Sequence, residues 1–271
     1  MTDIPNAQQP HQRGFKSIRS IIALMLREMT TTYGRTPGGY LWGLLEPIGA
    51  IAMITVIFSI GLRIRAPSLG ISFALFYATG MVAFLTYQRV QVKVTKAITF
   101  SRPLLFYPCV TYVDTIIARF LLNYITQLAV FCVVMTGILV ALETRAVLDL
   151  IPILIALAMA GTLALGVGTL NAYLMPCYPL WQSIWGIVTA PLFFISSIFY
   201  TYEDLPTMGQ NILWYNPIVH IVGIMREGFY PGYDPLWASP LYVFGLSLVL
   251  TFFGIVLLGR YHRDIVNMDF K

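Results

Sequence analysis

The sequence predicts an all-α integral membrane protein with six transmembrane helices, preceded by an amphipathic helix that lies on the membrane. Three observations lead there. Hydrophobic residues make up 58% of the 271-residue chain and charged residues 11%, and mean hydropathy is +0.75, outside the usual range of soluble domains. The apolar residues gather into blocks of about 20, the length a helix needs to cross a bilayer. Basic residues collect on alternate connections between those blocks.

Residues 1–13 read as a flexible tail and 14–36 as the amphipathic interface helix. On helical spacing Phe15, Ile18, Ile21, Ile22, Met25, Leu26 and Met29 share one face, and Lys16, Arg19, Ser20 and Arg27 fall largely on the other. Leu24 is the position that departs from this pattern. A basic helix of this kind lies in the membrane interface. A secretory signal is a poorer reading, because Arg27 and Glu28 interrupt the apolar core and Pro37-Gly38-Gly39 suits a turn.

Residues 37–263 form the transmembrane domain, and 264–271 a short cytoplasmic tail. The apolar blocks run 40–62, 71–92, 112–142, 148–174, 181–200 and 241–259, giving six crossings. Turn formers hold the gaps, among them Pro67, Ser101-Arg102-Pro103 and Met175 to Pro179. With the N-terminus inside, the inner segments carry Arg13, Lys16, Arg19, Arg27, Arg35, Arg89, Lys93, Lys96, Arg102, Arg260, Arg263 and Lys271. The outer ones carry only Arg63, Arg65, Arg145 and Arg226, alongside Glu143, Asp149, Glu203, Asp204, Glu227 and Asp234. Both termini are therefore expected in the cytoplasm, with the net charge of +5 matched by anionic lipid and no nucleic-acid partner required.

In the first block, Pro47 predicts a kink and Glu46 is expected to meet a basic residue such as Arg35. The third block carries a polar stripe, Thr115, Arg119, Asn123 and Gln127, with Asp114 near its start. The stripe has two readings. Arg119, Asn123 and Gln127 border a translocation path for a polar substrate, or they make interhelical hydrogen bonds with Arg119 reaching the interface. In the fourth block Ala156, Ala160, Ala164, Gly168 and Ala172 form a small-residue ridge that invites close helix approach, in this subunit or from a second copy.

Two connections stand apart. The inner segment 93–111 contains Phe100-Ser101-Arg102-Pro103-Leu104-Leu105-Phe106-Tyr107-Pro108, suited either to a short helix in a groove on a partner protein or to a membrane-hugging loop. The outer segment 202–240 is rich in aromatics and has apolar pieces near 208–215 and 218–225, split by Asn216-Pro217. They fit short re-entrant helices before the last crossing. Its rings suit an interfacial anchor, and would also serve a sugar chain as apolar platforms.

Absent motifs narrow the function. There is no Gly-Lys dipeptide, hence no phosphate-cradling loop, and neither His-Glu-x-x-His nor Gly-x-Ser-x-Gly occurs. His11, His220 and His262 are dispersed, and Cys109, Cys132 and Cys177 have no paired spacing, so no catalytic residue, metal site or bound cofactor is expected in this chain. A secondary transporter would need an inverted repeat and coupling-ion residues, and neither is visible.

The run Met25-Leu26-Arg27-Glu28, Thr32-Tyr33-Gly34-Arg35 and Gly39-Tyr40-Leu41-Trp42-Gly43-Leu44-Leu45-Glu46-Pro47 resembles the start of ABC-2 type transporter permeases, in particular the capsular polysaccharide export (KpsM-like) branch. The likeness extends over nearly the whole chain, through Asn216-Pro217 and Arg226-Glu227. It implies the membrane subunit of an ATP-driven exporter in the bacterial inner membrane, moving a lipid-linked acidic polysaccharide. O-antigen, teichoic-acid and drug exporters of the same type are the alternative. It further implies a homodimer with two copies of a separate cytoplasmic ATPase that binds ATP and Mg, a periplasmic co-polymerase and an outer-membrane exporter. By the same resemblance the inner loop becomes a cytoplasmic coupling helix, with Arg102, Pro103, Leu104, Phe106 and Tyr107 meeting the ATPase. The interface helix borders the gate, with Lys16, Arg19, Arg27, Tyr33 and Arg35 near the lipid-linked end of the substrate.

Overall fold

The structure, a computed structural model, describes residues 16–33, 39–57, 67–107, 110–142 and 147–267. Among the described residues there is no strand. The helices are α1 (Lys16–Tyr33), α2 (Gly39–Val56), α3 (Phe73–Thr95), α4 (Ala97–Phe100), α5 (Arg102–Leu105), α6 (Tyr112–Ala141), α7 (Leu150–Cys177), α8 (Pro179–Thr189), α9 (Thr207–Leu213), α10 (Pro217–Glu227) and α11 (Pro240–Asn267). Three of these, α6, α7 and α11, are long and apolar enough to cross a membrane. The apolar part of α2, Leu45–Val56, is shorter.

Local chemistry fixes the helix starts. Thr111 and Asp114 close a reciprocal capping box on α6, each side chain accepting from the other's backbone N–H at 3.1 and 3.0 Å. Asp149 caps α7 and Asn216 caps α10, both accepting an N–H two residues on at 3.0 Å. Pro217, at the first turn of α10, loses nothing by lacking an N–H.

Helix α7 is the centre of the bundle, packed by α3, α10 and α11. Its ridge, Ala156, Ala160, Ala164, Gly168 and Ala172, is buried throughout. A Cβ on Gly168 would sit 2.7 Å from Val94 Cβ of α3, and one on Gly166 would sit 2.6 Å from the Ser247 carbonyl of α11. Close helix approach at these glycines is therefore met inside the subunit. Gly168→Leu is expected to destabilise the protein by at least about 1–3 kcal/mol, since the obstruction includes the backbone carbonyl of Gln91 at 3.1 Å. Gly245→Leu, in open space, is the neutral control. Thermal unfolding in detergent compares the two.

The apolar block 181–200 does not form one helix. α8 stops at Thr189, Pro191–Phe193 makes a single 3₁₀ turn, and residues 196–200 bend, with Ser197 at φ +56°. The break falls at Pro191, which removes a backbone donor, although Ala190 before it keeps helical backbone. At the other end of the chain α11 runs to Asn267, with Ile265 and Val266 buried and Arg102 Nε donating to the Val266 carbonyl at 2.6 Å.

One end of the bundle gathers the C-termini of α3, α7 and α11, the start of α6, and α1, α4 and α5. Tyr112 stacks on His262 there at 4.8 Å. Arg19, Arg27, Arg89, Lys93, Lys96, Arg102, Arg260 and Arg263 make it the basic end. The opposite, acidic end carries Asp149, Glu203, Asp204, Glu227 and Asp234, and the Asp149 N–H donates to the Gly228 carbonyl at 2.9 Å.

Candidate functional site

The interface helix turns its polar side toward the protein. Leu24 and Glu28, one helical turn apart, are buried against α6, while Ile18, Ile22 and Leu26 are more than half exposed on the outer side. Leu24, out of place in the amphipathic pattern, is the residue that seats the helix. The apolar face is left uncovered among the described residues.

Glu28 is 2% exposed and meets Arg119 of α6, itself 5% exposed. Arg119 Nη2 lies 3.0 Å from Glu28 Oε1, and its Nε donates to both carboxylate oxygens at 3.1 Å. Its Nη1 donates to the Lys96 carbonyl at 2.8 Å, between α3 and α4. Asn123, one turn further along α6, donates to Glu28 Oε1 at 3.4 Å and to the Arg119 carbonyl at 2.8 Å. The guanidinium also lies 4.1 Å from the ring centroid of Phe100, the last residue of α4, and Arg27 of α1 approaches the same ring at 5.4 Å.

Four elements thus meet at one buried, charge-balanced point. Glu28 offsets Arg119, and the remaining donors of Arg119 are spent on a carbonyl and a ring. The junction links the α4–α5 segment, through Phe100 and the Lys96 carbonyl, to α1 and α6. Sequence reading placed Arg119 and Asn123 on a shared stripe but did not find their partner. The available signal was Glu28 itself, an acid one turn from Leu24 in an otherwise basic helix.

The other expected site residues distribute as follows. Gln127 is buried one turn beyond Asn123, and its Oε1 has no hydrogen-bond partner among the described residues. Arg19 is exposed, and Arg27 is half-buried over Phe100. Lys16 and Tyr33 begin and end α1, with side chains outside the described set; Arg35 lies outside the described residues. Glu46 pairs with Arg89 Nη2 of α3 at 2.7 Å, which joins α2 to α3.

The α4–α5 segment, expected as one helix, is two short pieces broken at Ser101, and Pro108 lies outside the described residues. Arg102 ties it to α11 through Val266. Phe106 and Tyr107 are 64% and 63% exposed, Pro103 is exposed and Leu104 half-buried. Beside them opens a cleft of about 580 Å³, lined by Phe106, Tyr107, Tyr112, His262 and Arg263. The His262 Nδ1–H donates to the Leu258 carbonyl at 2.9 Å.

At the acidic end the aromatic residues mostly pack on one another. Tyr202 stacks on Trp237 at 4.1 Å, and Trp214 on Tyr242 at 5.2 Å. His220 sits among them: its Nδ1 accepts from the Ser239 N–H at 3.1 Å, so Nε2 carries the proton and donates to the Trp214 carbonyl at 2.7 Å. Burial lowers its pKa and favours this neutral form. Glu203 accepts from Trp237 Nε1 at 2.7 Å and from Tyr233 OH at 3.1 Å. Burial, with the Glu203 charge beside it, raises the Tyr233 phenol, which stays a donor. Arg226 is 1% exposed and donates to the Tyr200 and Ile198 carbonyls at 2.9 and 3.0 Å, with its guanidinium 4.1 Å from the Phe76 ring centroid. Sequence reading had assigned it no task.

No group of three or more His, Cys, Asp or Glu residues suited to a metal occurs among the described residues. Cys132 and Cys177 are free thiols.

Comparison with known proteins agrees on the kind of molecule this is. The family pattern described as ABC-2 type transporter matches residues 19–230. The chain is 30% identical over 238 residues to the polysialic acid transport protein KpsM of Escherichia coli, covering 88% of this chain and 92% of that one. It is 26% identical over 250 residues to the capsule polysaccharide export inner-membrane protein CtrC of Neisseria meningitidis serogroup B, covering 91% and 92%. With the capsule polysaccharide export inner-membrane protein BexB of Haemophilus influenzae it shares 25% over 249 residues, covering 91% and 92%.

Proposed function

This chain belongs to the ABC-2 type transporter family, and from that premise we propose that it is the permease subunit of an ATP-driven exporter moving a lipid-linked, acidic capsular polysaccharide across the bacterial inner membrane. The observation that carries the mechanism is the Glu28–Arg119–Phe100 junction. It ties Phe100, at the end of α4 and six residues before the exposed Phe106, to the interface helix through one ring and one guanidinium.

In this reading the basic end faces the cytoplasm and both termini lie there, as the charge distribution favours. Six segments cross, with α8 and its following turn as the fifth, and α9 and α10 enter the membrane from the far side without spanning it. Two copies of the chain assemble with two copies of a cytoplasmic ATPase, which alone binds ATP and Mg. Its closure pushes on Arg102, Pro103, Leu104, Phe106 and Tyr107. The junction passes the movement to α1, whose Lys16, Arg19, Arg27 and Tyr33, with Arg35 beyond it, form a cationic lip for the anionic end of the substrate. Arg119 and Asn123 act here by holding that lip. A periplasmic co-polymerase and an outer-membrane exporter receive the polymer.

Phe106→Asp tests the coupling surface. Because Phe106 is exposed, insertion and folding are retained. An aspartate in a packed contact is expected to cost about 2 kcal/mol or more, so that ATPase co-purifying with the permease falls more than about tenfold. Undiminished co-purification would count against this placement.

A further inference from the structure

A second polar site adjoins the Glu28–Arg119 junction and shares Lys96 with it. The chain leaves α7 at Cys177, and α8, which starts at Pro179, buries none of its side chains. It is held by Trp181, whose Nε1 donates to Asn171 Oδ1 at 2.9 Å and whose ring stacks on Trp185. Between α8 and the last turns of α3 a cleft of about 230 Å³ opens, lined by Gln88, Gln91, Thr95 and Lys96 on one side and Gln182, Trp185 and Thr189 on the other.

The lining selects its ligand. Three amides line the cleft, and the buried one, Gln91, is costly to leave without polar company. Gln91 is 4% exposed, and its Nε2 is committed to Thr95 Oγ1 at 2.9 Å, which leaves Oε1 to accept from another group. The Thr189 hydroxyl gives its proton to the Trp185 carbonyl at 2.7 Å and keeps its lone pairs. Gln88 and Gln182 are exposed and bring both donors and acceptors. No carboxylate lines the cleft, which argues against a cation, and an acyl chain would strand the amides. The volume is below the roughly 300–1,000 Å³ of pockets for drug-sized ligands. Neutral donors and acceptors around one indole, with a lysine in the lining, suit a small polyol ring bearing an acidic group.

We propose that the α3–α8 cleft is a carbohydrate-contact site, where Gln88, Gln91, Gln182 and Thr189 hydrogen-bond one sugar unit of the exported polymer against Trp185, with Lys96 meeting its acidic substituent. This rests on the polysaccharide-export reading and adds to it the place where the chain meets this polymer.

The test uses the whole exporter in cells that make the polysaccharide. A benzophenone amino acid is placed at Gln182, or at Val188 on the same helix as control, and the irradiated protein is captured and probed for attached glycan. A glycan-bearing adduct is expected at 182, not at 188, and not at 182 in cells blocked in polymer synthesis. The exposed pair Gln88→Leu/Gln182→Leu is expected to lower surface polysaccharide about tenfold at unchanged permease level. A 182 adduct that persists without polymer, or carries only phospholipid, overturns the site, as does wild-type export by the double variant. Deletion of the chain separates the two claims: if surface polysaccharide survives deletion, the export reading itself falls, whereas a deletion phenotype beside a silent cleft removes the cleft alone.

Discussion

Arg119→Leu will cost this protein about 3–5 kcal/mol, enough to deplete the folded permease, because it leaves Glu28 as a buried carboxylate with only Asn123 at 3.4 Å to answer it. The same change strips the Lys96 carbonyl of its donor at 2.8 Å and removes the cation from over Phe100. Glu28→Leu strands the guanidinium in turn, but less completely, since its bonds to Lys96 and its contact with Phe100 persist. The double variant Glu28→Leu/Arg119→Leu recovers most of the loss, because two apolar residues in contact need no partner. Thermal unfolding of the four proteins in detergent measures the cycle. A single Arg119→Leu as stable as the parent would show that the pair holds nothing together. Export then separates stability from coupling: if the junction transmits movement, the refolded double variant keeps its ATPase and still exports poorly.

Much of this fold was legible in the sequence because bilayer physics leaves few choices. A run of apolar residues at 112–142 can hardly be anything but a long helix, and α6 occupies it almost to the residue. The small-residue ridge of α7 marked close packing, though not its partner. A ridge states what one surface permits, and Val94 and Gln91 become visible only when α3 is laid against it. Short helices lie on either side of Asn216-Pro217, where the sequence has two apolar pieces too short to span, whereas the fate of block 181–200 depended on how one proline weighs against a favourable apolar run.

The site was legible in pieces. Hydrophobic periodicity reports which face of α1 is apolar, not which way that face turns, and the polar side of α1 proved to be the packed one. Glu28 and Arg119 stand 91 residues apart, and no spacing rule joins them. Glu46 likewise found Arg89 on the neighbouring helix, since a carboxylate pairs with whichever cation packing brings near. The exposed Phe106 and Tyr107 follow from local sequence; the half-buried ring of Phe100, six residues earlier, does not, and it is the ring that two arginines of α1 and α6 approach.

Arg226→Met is expected to loosen the acidic end as decisively as Arg119→Leu loosens the basic one. No carboxylate lies within ion-pair distance of this guanidinium among the described residues; it works instead as a strut, donating to the carbonyls of Ile198 and Tyr200 and lying against Phe76. Burial brings its pKa down to about 10, so it is still charged at neutral pH and the bonds are charge-assisted, about 1.5–3 kcal/mol each. Methionine keeps the apolar stem over Phe76 but leaves both carbonyls without their donor, at the point where Ser197 already sits at φ +56°. Lysine keeps the charge but lacks the planar fork that reaches two carbonyls at once, and should restore only part of the loss. Thiol labelling of Ser197→Cys, with the native cysteines replaced, gives the readout: Ser197 is 2% exposed, so labelling is slow in the parent and should quicken at least about tenfold with Arg226→Met, the kinetic image of about 1.4 kcal/mol in local opening. Equal protection in both would mean that the bend after α8 is held by its aromatic packing, Phe193 on Phe84 and Phe199, and that the arginine only fills space.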